Sequence, residues 1–448
     1  MCVGYFLVLL DVTIVNVGLP RIGSGLHANL SDLQWVVDGY ALALASLMLA
    51  GGTVGDLHGH KRVVLAGLVV FGAASLACGL APSAAALIAA RAIQGLGAAM
   101  LLPGTLAIIS NTFRQGPAQA RAIGVWAGIG SLALPAGPLL GGLLISGFGW
   151  RAIFLINVPV VLVSGIAALL VVRESSNPRG RRLDASGALV GVVVLLAMTF
   201  VFIEGGRRGP GAPEVIAAAV VAVVLAGLFV VVEGRRGSAA MLPLTLFRRP
   251  AFTVANAAAG TMNLCTLGTL FLLTLFLQTV QHRSPLVAGL EVIPLFAPLA
   301  IIAPPAGRLA SKIGPRAPMA AGLLIAGLGI GLLATVGANS PYLVILPAFL
   351  LWGIGLGVLT PAVVAAAIGA VGSERSGLAS AINNTARQAG GAIGIAMAGA
   401  IAGEPANHDS FMSGFHAVAV AAALLYLVAA AGGLALVPGS LRPRSRPA

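Results

Sequence analysis

Apolar residues run along this chain in blocks of about 20, separated by short polar or basic connections. The blocks fall near 3–20, 33–54, 63–81, 84–112, 122–146, 152–172, 185–203, 214–232, 252–280, 286–306, 317–336, 342–368, 377–402 and 413–437, which makes fourteen. Each predicts a helix, because a barrel strand would instead alternate over about ten residues. Gly and Pro inside the blocks are compatible with membrane helices, where neighbours re-satisfy freed backbone groups. The first block begins almost at Met1 and contains Asp11. It lacks a basic leader region and a small-residue cleavage site, so it reads as a genuine first helix with a truncated or misassigned start left open.

Composition agrees with the pattern. Hydrophobic residues make up 58% of the 448 positions and charged residues only 9%, and mean hydropathy is +1.01. Soluble proteins carry about a quarter charged residues, so lipid is the solvent this chain expects: an all-α polytopic membrane protein. With the 21–32 connection facing outward, alternate loops hold nineteen Lys and Arg residues and the opposite set holds five. Basic residues favour cytoplasmic loops, which places both termini in the cytoplasm of a cell-membrane protein. The net charge of +13 therefore reads as topology, and no nucleic-acid surface is expected. Only Arg91 and Arg387 of the 26 basic residues fall inside blocks.

Nothing recommends an enzyme. The two lysines, Lys61 and Lys312, follow His60 and Ser311, so no phosphate-cradling Gly-Lys-Ser/Thr motif exists and no ATP is expected. No histidine opens an HExxH pattern, and Cys2, Cys78 and Cys265 form no pairing or metal motif. The short loops leave no room for a soluble catalytic domain.

A repeat is visible. "GTVGDLHGHKR" (52–62) and "GRLASKIGPRA" (307–317) each carry Gly, a polar residue four later (Asp56, Ser311), a second Gly seven after the first (Gly59, Gly314), then basic residues. Duplication of this kind predicts two six-helix bundles with a site between them near midplane. The expected division is 1–173 for the first bundle, 174–250 for a linker with two extra helices, 251–437 for the second bundle and 438–448 for a basic tail.

The chain resembles the Major Facilitator Superfamily, specifically its fourteen-helix drug:proton antiporters. "LDVTIVNVGLP" (10–20) is similar to that group's first-helix motif and "GTVGDLHGHKR" to its loop motif. "RAIQGLGAA" (91–99) resembles the fourth-helix motif and "GPLLGG" (137–142) the antiporter motif of helix five, while "WRAIFLINVP" (150–159) and "NNTARQAGGAIG" (383–394) also match. Leu57 and His60 stand where the family usually has arginines, which implies fewer latch contacts. The resemblance implies proton-coupled export of drugs, antibiotics or other lipophilic small molecules by alternating access. The proton gradient is then the energy source, with no cofactor or metal, and a monomer is expected.

The charges inside the blocks supply candidate sites. A mid-membrane arginine costs at least about 2.5–3.5 kcal/mol unless it meets a partner or a wet cavity. Asp11 is the natural counter-charge for Arg91. Desolvation and a nearby cation act in opposite senses on a buried carboxyl, which fits Asp11 to gain and lose a proton; a purely structural clamp is the other reading. Asp38 and Glu291 lie near block ends and read either as cavity carboxylates or as interfacial ones. Asn383, Asn384, Arg387 and Gln388 read either as cavity lining or as polar glue between helices. The loop residues Gly52, Asp56, Gly59, Lys61 and Arg62 read as a cytoplasmic gate or as a topology-setting basic loop. Gly137, Pro138, Gly141 and Gly142 fit a rigid, closely packed helix that seals against leak. An importer or uniporter of the same fold, and a sensor or scaffold that moves nothing, remain alternatives.

Overall fold

The computed structural model describes residues 1–113, 117–176, 184–236, 242–371 and 376–439. Arg114, Arg179, Arg181, Arg182, Arg375 and the basic residues of the tail lie outside the described residues. The chain folds as α1 (Cys2–Leu26), α2 (Leu30–His58), α3 (His60–Gly79), α4 (Ala84–Thr112) and α5 (Pro117–Phe148), then a broken pair, α6 (Ala152–Leu155) and α7 (Asn157–Val171). There follow α8 (Ala185–Arg208), α9 (Pro213–Arg236), α10 (Pro250–Leu275, prolonged by a π-turn to Val280) and α11 (Pro285–Ile313). The last four are α12 (Arg316–Leu332), α13 (Tyr342–Gly369), α14 (Ser376–Ala402) and α15 (His408–Leu436). Among the described residues thirteen helical segments, with α6 and α7 counted together, are long and apolar enough to cross a membrane. α14 is the fourteenth expected span; its Asn383–Gln388 run makes it the polar exception.

Successive spans alternate in direction. One face of the bundle, the far face, carries the α1–α2 turn; the other, the near face, carries Met1 and the Gly59 and Gly314 turns. Helix starts on the far face are capped by short polar side chains that accept orphan backbone N–H groups. Asn29 and Asp32 form a reciprocal capping box at α2, and Ser83, Ser284 and Asn407 cap α4, α11 and α15. The near-face turns use glycine instead. Gly59 between α2 and α3 has φ +103°, and Gly314 between α11 and α12 has φ +88°. These are the second glycines of the two repeated loops, so the duplication seen in the sequence is a duplication of backbone conformation.

The two halves pack alike. In the first, α2 and α3 lie against α4, and α1 against α5; in the second, α10 lies against α14, and α12 and α11 against α13. Small residues let backbones close up where lipid offers no hydrophobic drive. Gly95 meets the Tyr40 backbone across α4–α2, and Gly390 meets Gly260 across α14–α10. The halves meet along two seams, α5–α11 and α2–α14. The extra helix α8 lies over the second seam, touching both α2 and α14, while α9 packs on α8 and faces outward over most of its length.

Glycine at 59 is required twice over. A side chain there would hold a backbone conformation reserved for glycine, and its Cβ would stand 2.6 Å from the Glu174 carboxylate. Gly59→Ala should therefore lower stability by about 1–3 kcal/mol, read as a fall in thermal midpoint of the detergent-solubilised protein. An unchanged midpoint would contradict this reading of the turn.

Candidate functional site

Arg91 and Asp11 do meet. Arg91 Nη1 pairs with Asp11 Oδ2, and both side chains are 0% exposed. The pair is held by neutral polar groups that the sequence reading did not single out as site residues. Arg91 Nη1 donates to Gln94 Oε1 at 2.7 Å, and Gln94 Nε2 donates to Asp11 Oδ1 at 2.8 Å and to Ser75 Oγ at 2.9 Å. Asn157 Nδ2 reaches Asp11 Oδ1 and Ser75 Oγ, both at 3.4 Å. The cluster thus joins α1, α3, α4 and α7 inside the first bundle. Arg91 met a partner there, and the inter-bundle space lies elsewhere.

Arg91 also acts on α2. Its Nε donates to the Val36 carbonyl at 3.0 Å, and its guanidinium carbon lies 4.3 Å from the centre of the Tyr40 ring. Tyr40 in turn donates to the Val8 carbonyl of α1 at 3.2 Å. These contacts fix the α2 backbone on both sides of Asp38. Asp38 is 0% exposed, and neither of its oxygens has a hydrogen-bond partner.

The position of Asp38 follows from its helix neighbours. One turn earlier, Gln34 donates to the Ile395 and Ala396 carbonyls of α14 at 3.1 and 2.9 Å. One turn later, Ala41 and Leu42 cluster with Ala392 of α14. Residues four apart share a helix face, so Asp38 stands on the face of α2 turned toward α14, at the seam between the halves.

The α5–α11 seam is tight at its far end. Gly137 and Gly141 let α5 lie on Thr13 and Ile14 of α1, and a Cβ on Gly142 would stand 2.7 Å from Leu286 Cα of α11. Gly289 of α11 packs on the Pro138 carbonyl. Gln278 of α10's π-turn donates to the Val17 carbonyl at 2.9 Å. A narrow cleft remains between Thr13, Asn16, Pro138 and Thr274. Toward the near face α5 diverges: Gly124 and Gly128 border open space.

The near-face loop is occupied within its own half. Asp56 lies 3.2 Å from His60 Nε2, Lys61 Nζ donates to the Leu169 carbonyl at 2.9 Å, and Glu174 accepts from the Lys61 and Arg62 backbone N–H groups at 2.9 and 3.2 Å. Gly52 rests on Pro103. Among the described residues, no hydrogen bond joins this loop to the second half. The far face is closed and the near-face latch is released.

The remaining candidates scatter. Glu291 stands 3.6 Å from Arg283 at the far end of α11, its side chain 12% exposed, and so belongs to a loop ion pair. Asn383 is buried and donates to Asn256 Oδ1 of α10 at 3.3 Å, which is the glue arrangement. Asn384 is exposed, and Arg387 and Gln388 are half-buried.

The model of the Major Facilitator Superfamily matches residues 1–395 and 284–448. The chain is 40% identical over 398 residues to multidrug resistance protein Stp of Mycobacterium tuberculosis, covering 89% of this chain and 74% of that one. It is 36% identical over 450 residues to the methylenomycin A resistance protein of Streptomyces coelicolor, covering 100% and 93%. To the tetracenomycin C resistance and export protein of Streptomyces glaucescens it is 32% identical, covering 90% and 74%. In fold it is similar to the peptide transporter POT in complex with sulfate (TM-score 0.70, 16% identity, covering 97% and 95%). It is also similar to a bacterial homolog of the human lysosomal transporter Spinster, inward-facing and unoccupied (TM-score 0.67, 17% identity, covering 97% and 94%).

Removing one member of a buried ion pair strands the other, at about 3–5 kcal/mol, whereas replacing both with apolar groups is far cheaper. Arg91→Met alone should sharply lower the thermal midpoint in detergent, and Asp11→Leu together with Arg91→Met should recover most of the loss. Equal midpoints for the single variant and wild type would show that the pair bears no load.

Proposed function

The chain belongs to the Major Facilitator Superfamily and is a membrane transporter, and from that premise we propose that it exports lipophilic drug-like small molecules in exchange for protons. The resistance and export proteins it resembles support the direction of transport. In this reading the near face is cytoplasmic, and the structure is an inward-open state of a monomer whose two bundles rock about the α5–α11 and α2–α14 seams. No ATP or other cofactor takes part; the proton gradient supplies the work, about 2.3 kcal/mol per charge for each 100 mV.

Asp38 is the carboxyl we assign to proton exchange, and the observation that carries the assignment is its pair of buried, unpartnered oxygens at the seam. A carboxyl in a fixed ion pair is a poor carrier, because its partner must be stranded each time it is neutralised. The Asp11 charge is committed to Arg91; Asp38 has no such commitment. The expectation that favoured Asp11 therefore passes to Asp38, with Asp11 and Arg91 as positioning residues that hold Val36 and Tyr40 on either side of it. The cycle follows. Outward opening along α2–α14 lets Asp38 take a proton from outside as cargo leaves; inward opening returns that proton to the cytoplasm as new cargo binds.

In proteoliposomes with an imposed pH gradient, wild type should drive net movement of at least one of ethidium, Nile red and carboxyfluorescein. Asp38→Asn should lose that movement while still exchanging the same dye across the bilayer at equal pH. Asp38→Glu should retain part of the driven rate. Full driven transport by Asp38→Asn would remove Asp38 from the coupling step.

A further inference from the structure

Proton exchange uses Asp38, Asp11 and Arg91 and leaves the second intramembrane cation without a task. Arg387 stands on α14, half-buried, and among the described residues it pairs with no carboxylate. Its Nε is shut away from solvent with no hydrogen-bond partner. A guanidinium does not shed its charge, and an uncompensated charge in an apolar surround is costly. The unpaired acid at this seam, Asp38, lies near the level of Ile395, eight residues along α14 from Arg387 and so about 12 Å away along the helix axis. It is too far to serve as partner.

What does lie near Arg387 is aromatic. Tyr5 of α1 is close enough for its phenol and the guanidinium to interact electrostatically. The Tyr5 ring stacks on Trp126 of α5, with centroids 3.9 Å apart and 13° between planes. Trp126 Nε1 is buried and likewise has no partner. Gly130, one turn beyond Trp126, is what lets Tyr5 lie flat there, since any Cβ at 130 would overlap its ring; Gly128 beside it borders open space. Three helices, two from the first half and one from the second, therefore bring together an aromatic face, an unused N–H donor and an unmatched guanidinium. This place is at the near end of the inter-bundle space, where the helices diverge.

We propose that Tyr5, Trp126 and Arg387 form a cargo subsite for planar organic anions, aromatic carboxylates or phenolates. The ligand ring lies against the aromatic pair, where flat apolar area and ring electrostatics both favour it. Its oxygens take the guanidinium, whose planar fork matches a carboxylate in two parallel hydrogen bonds. A cation at the same place would meet Arg387 unscreened, so the subsite discriminates by charge as well as shape. The proposal rests on the exporter reading and narrows its cargo to a chemical class. Because Arg387 and the aromatic pair sit on opposite halves, outward opening pulls the two parts of the subsite away from each other, and the anion is released as the bundles rock.

The test compares three near-isosteres by titration calorimetry on the full chain in a neutral detergent: 1-naphthoate, the neutral 1-naphthamide and the cationic 1-naphthylmethylammonium. Wild type should bind the naphthoate at least about tenfold tighter than the amide, the scale of a charged hydrogen bond, and the ammonium most weakly. Arg387→Gln should abolish the preference, Arg387→Lys should keep part of it, and Trp126→Leu should weaken all three ligands. Equal binding of naphthoate and amide by wild type, which needs no variant to fold, would overturn the subsite; so would a preference retained in Arg387→Gln. Gradient-driven movement of a dye from the panel above reads the exporter function separately. Dye movement without naphthoate preference overturns the anion site alone, whereas absence of both overturns the exporter reading with it.

Discussion

An arginine surrounded by helices and lipid has to be answered by an acid, and most of the first bundle is arranged around that requirement. Arg91 cannot be neutralised and cannot reach water, so α1 brings Asp11 to it and α3, α4 and α7 contribute Ser75, Gln94 and Asn157 to finish the hydrogen bonding. A buried ion pair of this kind adds little net stability over a well-packed apolar core. What it adds is position. The same guanidinium grips the Val36 carbonyl and the Tyr40 ring, and so sets the height and rotation of the α2 turn that presents Asp38 to the second half.

Movement between the halves is governed by the opposite kind of contact. At the far end of the α5–α11 seam the helices touch backbone to backbone through Gly142 and Gly289, with no side chains to interlock and no charges to break. Such surfaces can slide or pivot at small energetic cost, whereas the ion-pair network within the first bundle resists deformation. The polar ties across the seams, Gln34 to α14 and Gln278 to α1, are few and neutral. A bundle that is stiff inside and loosely tied to its partner is the mechanical requirement of rocking.

Much of this was legible in the chain itself. Fourteen spans, the repeated glycine turns and the Arg91–Asp11 pairing follow from the scarcity of charge, since a residue that is costly in lipid announces itself. Neutral polar and aromatic residues do not. Gln94 and Asn157 are ordinary in composition, and only the crossing of α1, α3, α4 and α7 makes them ligands of one carboxylate. Tyr5 and Trp126 lie more than a hundred residues apart and meet only because Gly130 clears the space. Asp38 and Glu291 looked equivalent, each a few residues inside a span. Tertiary context separated them: Arg283 folds back onto Glu291, while Asp38 faces a neighbouring helix that offers it no donor.

Proton release on ligand binding is the most direct probe of that difference. Detergent-solubilised protein in weak buffer with a pH indicator would be mixed with a dye it transports. Wild type should release protons as the dye binds, Asp11→Asn should still do so where it folds, and Asp38→Asn should release none at the same occupancy. Undiminished release from Asp38→Asn would mean that another group carries the exchanged proton, and that the buried, partnerless carboxyl at the seam has no part in coupling.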